Sequence, residues 1–140
     1  MSAEENKAIM HRIYEEVINT GNLALADQFI AADVVEHEAL PVVASGLEGF
    51  KQFFTMFRTA FPDLRFIVED MIAEGDKVAT RLTIRGSHKG EFMGMAPTGK
   101  QVTMTAIDII RFAGGKAVEH WGNTDELGLM QQLGAVPPMG

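Results

Sequence analysis

At 140 residues, 46% hydrophobic and without a cysteine, the chain can bury a core as one domain over residues 1–140, and it excludes disulfides, thiolate metal sites and a cysteine nucleophile. Its 19 acidic and 12 basic residues give a formal charge of −7, and the basic ones are scattered rather than gathered into a stripe, which excludes a nucleic-acid surface. The charged opening Met1-Ser-Ala-Glu-Glu-Asn-Lys7 lacks the apolar run of a secretion signal, and no later segment approaches the roughly 18 apolar residues of a membrane span, so a soluble, cytoplasmic protein is expected.

Ile9, Met10, Ile13, Tyr14, Val17 and Ile18 recur at helical spacing, which predicts an amphipathic helix over 3–19 ended by Gly21. Asn22 then caps a shorter helix with Leu23, Ala26, Phe29 and Ile30 on its buried side, and Val34-Val-Glu-His-Glu38 reads as a short strand stopped by Pro41. A third helix follows Gly46. Its stripe of Leu47, Phe50, Phe53, Phe54, Phe57 and Phe61 needs a large apolar partner, because phenylalanine is costly to leave in water.

The second half supplies that partner. Strands are expected over 64–74, 77–88, 101–112 and 116–124, joined by turns at Gly75-Asp76, Pro97-Thr98-Gly99 and Gly114-Gly115, and together they predict an antiparallel meander. A short helix over 126–133 and a loose 137–140 end close the chain. Helices followed by a curved antiparallel sheet make the fold class α+β.

Chemistry has to come from the polar residues on these strands. In the last strand, alternation separates Glu119, Trp121, Asn123 and Asp125 from Val118, His120 and Gly122. With the helices over the Trp121 face, Asp125 stands at the inner edge of an apolar cavity, where a poorly hydrated carboxylate can both take and give a proton. The same residue stands where the last helix needs an N-cap, and both roles remain open.

His88 shares its strand face with Thr80, Leu82, Ile84 and Gly86, which favours an inward imidazole, either a base near neutral pH or a histidine satisfied by a backbone carbonyl. Arg81 and Arg85 fall on the other face. His37 alternates with Val35 and is expected on the pocket side, with Glu36 and Glu38 in solvent. Tyr14 lies on the apolar side of the first helix, pointing into the cavity or held in the core, and Met93 beside Gly94 can form a flexible lip. His120 reads as structural or as part of a subunit contact. Neither a His-x-His nor an HExxH spacing is present, so no metal is expected, and neither a phosphate loop nor a Gly-x-Ser-x-Gly elbow is present either.

Several segments in order then carry a family resemblance: Asn19-Thr-Gly-Asn22, Asp33-Val-Val-Glu-His37, Phe61-Pro-Asp63, His88-x-Gly-x-Phe-x-Gly-x-x-Pro-Thr-Gly99, Asp108-x-x-Arg-Phe112, Glu119-His-Trp-x-x-x-Asp125 and Gln132-Leu-Gly134. Together they resemble the SnoaL-like polyketide cyclase (ester cyclase) group of the NTF2-like superfamily. The resemblance implies a cone-shaped α+β barrel, in which a strongly curved sheet wraps the N-terminal helices, and homodimers that pair through their sheets. It also implies cofactor-free aldol closure of a small apolar or aromatic carbonyl substrate, in polyketide metabolism. By motif position the acid/base aspartate would be Asp125, assisted by His88, with His37, Trp121, Tyr14, Phe57 and Met93 around the substrate. A ligand-binding dimerisation module, an isomerase or an epoxide hydrolase on the same fold are the alternatives.

Overall fold

A computed structural model describes residues 2–38, 40, 42 and 44–137. The expected strand stop at Pro41 and the last three residues of the loose end, 138–140, lie outside the described residues. Helix α1, Ala3–Arg12, starts with a capping box in which Ser2 Oγ accepts from the Glu5 amide and Glu5 returns the bond to the Ser2 amide. The expected helix does not stay regular to residue 19: Ile13–Ile18 widens into a π-helical segment, with the Asn19 amide bonding back to Tyr14 O at 2.8 Å. The second helix is 3₁₀, Leu23–Gln28, and Asn22 makes no side-chain cap to it.

Strand β1 runs Ile30–Glu36, earlier than the sequence suggests, followed by α2 (Gly46–Ala60), β2 (Arg65–Glu74), β3 (Lys77–Ser87), β4 (Gln101–Ala113), β5 (Lys116–Thr124) and α3 (Glu126–Leu133). The four long strands form the expected antiparallel meander, and β1 joins it in parallel beside β5, giving the order β1-β5-β4-β3-β2. This is the α+β, NTF2-like architecture, with the curved sheet left unclosed because β1 and β2 remain its two edges. Met10, Val17, Phe54, Phe57, Phe61, Leu82, Met104 and Ile110 meet in the core between helices and sheet.

Two of the motifs are structural pins. Asn19 donates to Phe66 O at 2.9 Å and accepts from the Phe66 amide at 2.7 Å, so one side chain substitutes for a missing strand partner where β2 begins. Asp63 accepts from the Ser87 amide at 2.7 Å and the Ser87 hydroxyl at 2.8 Å, tying the end of β3 to the turn after α2.

Parity explains which side chains reach the interior. Along β4, Val102, Met104, Ala106, Asp108, Ile110 and Phe112 face inward, so one carboxylate interrupts a run of apolar residues. On β5 a bulge breaks the alternation: Phe112 pairs with Ala117 and Arg111 with Glu119, leaving Val118 as the extra residue. Ala117 and His120 therefore both turn inward, and Trp121 turns out.

Candidate active site

Between α2 and the sheet lies a cavity of about 800 Å³. One wall is aromatic: Phe50, Phe53, Phe54 and Phe57 from α2 meet Phe66 and Phe92, with neighbouring rings 4.8 to 6.4 Å apart. The opposite wall carries the polar groups. Asp108 stands in the middle of them, accepting from the Tyr14 hydroxyl on Oδ2 at 2.9 Å and from His120 Nε2 on Oδ1 at 2.9 Å. His120 also donates from Nδ1 to Glu36 Oε1 at 2.6 Å.

With carboxylates on both ring nitrogens, His120 is an imidazolium. Burial alone would lower its pKa, but hydrogen bonds to Asp108 and Glu36, reinforced by their charges, win and raise it from 6.5 to about 10. Tyr14 stays a neutral donor, since burial first and the Asp108 charge second push its hydroxyl well above the usual phenol value. Glu38 completes the group, with Oε2 accepting from the Thr124 hydroxyl at 3.0 Å. Glu36, Glu38 and His120 bring potential ligand atoms within 4.8 Å of one another. A ring that donates from both nitrogens has no lone pair to give a metal, whereas the neutral ring has one.

The family pattern described as SnoaL-like polyketide cyclase matches residues 8–133. The chain belongs to the SnoaL-like polyketide cyclase family. It is 31% identical over 122 residues to the aklanonic acid methyl ester cyclase DnrD of Streptomyces peucetius, covering 85% of this chain and 84% of that one. To the nogalonic acid methyl ester cyclase of Streptomyces nogalater it is 29% identical, covering 83% and 88%. The structure of TsrD from Streptomyces laurentii superposes with a TM-score of 0.88 at 26% identity, over 97% of this chain and 99% of that chain.

In this SnoaL-like chain, Tyr14, Phe57 and Met93 line the cavity. Met93 holds a positive φ of 50° before Gly94 at 82°, a tight turn that sets its side chain at the lip. The remaining expected site residues stand elsewhere. Asp125 is exposed and caps α3, accepting from the Gly128 amide at 2.9 Å, and it does not line the cavity. Strand β5 delivers its inward side chain before reaching residue 125, and the helix start claims that carboxylate.

His88 is fully buried beside Phe61, 5.5 Å between rings, and behind the cavity wall. Its Nδ1 accepts from the Thr98 amide at 3.2 Å, while its own amide and carbonyl bond to Lys100 and Gly99, so it latches the Pro97-Thr98-Gly99 loop to β3. His37 and Trp121 lie on the outer face, stacked at 4.9 Å, with Lys77 Nζ 5.6 Å from the Trp121 ring. His37 donates to Glu119 at 2.6 Å, and Arg111 donates to the same carboxylate at 2.9 Å. Glu36 and Glu38 line the cavity and His37 does not, Glu36 remaining exposed as expected and Glu38 half-buried.

Sequence reasoning passed over Asp108 and His120. The signal for Asp108 was present, a single carboxylate at an alternate position among Val102, Met104, Ala106, Ile110 and Phe112. The signal for His120 was hidden by the bulge, which turns the Trp121 face away from the helices.

Proposed function

We propose that this chain closes a ring in a polyketide ester by an intramolecular aldol reaction, using the acid/base cluster around Asp108 and no cofactor. The observation that carries the reading is the array Tyr14, Asp108 and His120, a phenol, a carboxylate and an imidazolium in one hydrogen-bonded row on the wall of an apolar cavity. A cavity of about 800 Å³ accommodates a multi-ring molecule. Its aromatic wall folds the chain so that the carbon to be deprotonated and the carbonyl to be attacked lie side by side. Enolate and alkoxide oxygens gain from the cationic His120 and the Tyr14 hydroxyl in a site poor in water. Residues 1–140 act as one domain in this reading, since one core joins α1, α2 and the sheet.

The substrate follows from the relatives, which are named for aklanonic and nogalonic acid methyl esters. The test is to incubate the protein with aklanonic acid methyl ester and follow ring closure by chromatography. An unchanged ester would sink the reading. In the same assay Asp125→Ala is expected to turn over at the parent rate while losing about 1 kcal/mol of stability, the ordinary cost of an N-cap. A large loss of rate would instead return the acid/base role to Asp125.

The outer sheet face supports pairing with a second copy. Ile72, Ala79, Ile109 and Trp121 align in register across β2, β3, β4 and β5, and Ile72 and Ile109 are 70% and 37% exposed. Such a row on a sheet face matches its own copy across a two-fold axis. Sedimentation should give twice the 15.3 kDa chain mass, and Ile109→Glu should give the single mass. A monomeric parent protein rules the pairing out.

A further inference from the structure

We propose that Glu38 is the group that takes the proton from the substrate carbon, and that Gly122 is the position that admits its carboxylate to the cavity wall. The proposal rests on the cyclase reading above and deepens it. A general base needs an oxygen with an open lone pair facing the substrate. Asp108 holds one donor on each oxygen, Tyr14 and His120, so a proton taken there would have to displace or weaken one of those bonds. His120 has both nitrogens engaged, by Asp108 and Glu36, and Glu36 Oε1 receives the Glu38 amide as well as the His120 ring. Glu38 has Oε2 fixed by Thr124 and Oε1 in no hydrogen bond among the described residues. Glu36 likewise leaves its Oε2 unengaged among them, but Glu36 is exposed, whereas Glu38 is half-buried with Oε1 beside Asp108 Oδ1 at the cavity wall.

Gly122 explains how this carboxylate comes to stand there. A Cβ at position 122 would lie 2.7 Å from Glu38 Oε1, 2.9 Å from His120 Cε1 and 3.0 Å from Asp108 Oδ1. The three functional side chains therefore share the space of one missing side chain. Gly122 is not among the glycines with positive φ, so its backbone makes no demand for glycine, and the space itself is the reason for it. Any larger residue drives the Glu38 carboxylate off the wall.

The surroundings also suit a base. Burial, first of all, raises the Glu38 carboxyl above the usual carboxylate range, opposed by the Thr124 hydrogen bond and the His120 charge and assisted by the charges of Asp108 and Glu36. The chemistry balances without an oxidant or reductant. Glu38 accepts the proton from a carbon next to a carbonyl, and the C–H electron pair becomes the enolate. The enolate carbon attacks the second carbonyl, forming one C–C bond, while the C=O π pair moves to oxygen. The proton held by Glu38 passes to that alkoxide, giving a hydroxyl and restoring the carboxylate, so the net change is an isomerisation.

The experiment uses aklanonic acid methyl ester with the full chain in H₂O and D₂O. Glu38→Gln is expected to lower kcat about 100- to 10,000-fold, to stop exchange of deuterium into the substrate carbon, and to leave affinity for the ester within a few fold. Gly122→Ala, which keeps every functional group but crowds Glu38 most closely and His120 and Asp108 with it, should lower kcat as well and alter the acidic limb of the pH profile. It also serves where Glu38→Gln does not fold. Glu38→Gln closing the ring within about threefold of the parent rate overturns the assignment and leaves the cyclase reading intact. A parent protein that neither closes nor exchanges the ester overturns both.

Discussion

Asp108→Asn is expected to slow ring closure at least about 100-fold and to lower the melting temperature by roughly 5–10 °C. The substitution keeps size and shape, so the effect isolates charge. In the parent, the carboxylate accepts from two donors, Tyr14 on one oxygen and His120 on the other. The amide offers one acceptor and one donor. Tyr14 can turn its hydroxyl to accept from the amide nitrogen, but His120, which already donates to Glu36, has no lone pair to offer the amide unless it gives up its second proton. Its charge loses one of two counter-ions in a site with little water, which costs about 1–3 kcal/mol. The rate falls for the same reason, because an imidazole no longer held as a cation stabilises an enolate or alkoxide less. Paired measurements of kcat and of thermal unfolding decide the matter. Asp108→Asn with the parent rate would show that the array is structural only.

That central position was legible in the chain, in retrospect, through period-two patterning. Strand β4 announces its inward face with Val102, Met104, Ala106, Ile110 and Phe112, and a carboxylate in that register has to be either paired or functional. The meander, the phenylalanine stripe of α2, the outward Arg81 and Arg85 and the span of α3 were readable for a related reason: each is fixed by local periodicity or by a turn. What was not readable depends on pairing between distant segments. The parallel docking of β1 beside β5 decides whether Glu36 or His37 faces the cavity, and nothing within residues 30–38 states it. The bulge at Val118 reverses the face of every later β5 residue, so Trp121, taken for a wall of the pocket, stacks on His37 outside. His88 followed its face correctly and still missed the cavity, because Phe61, just past the end of α2, stands against the imidazole. Asp125 had two readings in the sequence, and the structure displays the cap, since the Gly128 amide stands within reach and the cavity does not.

The second large effect concerns pH. His120 has its pKa raised from 6.5 to about 10 in the folded protein. The folded state therefore binds the His120 proton more tightly than the unfolded chain does. Stability from this proton is fully present below pH 6.5 and is lost as pH rises through about 10. The loss is on the order of a few kcal/mol, set by the two carboxylates that exchange an ion pair for a neutral ring. Tyr14 acts in the same direction at the upper end, because burial and the Asp108 charge hold its proton on while an unfolded tyrosine releases one. Denaturant unfolding at fixed temperature should give free energies that fall steadily between pH 7 and pH 10, with a much flatter line for His120→Gln. Parallel lines for the two proteins would show that His120 does not carry a proton through this range. Because the same imidazolium is the cation expected to hold the developing oxyanion, ring closure should fall off over the upper part of the same window. The rate and the stability of this fold are thereby tied to one proton, held between Asp108 and Glu36.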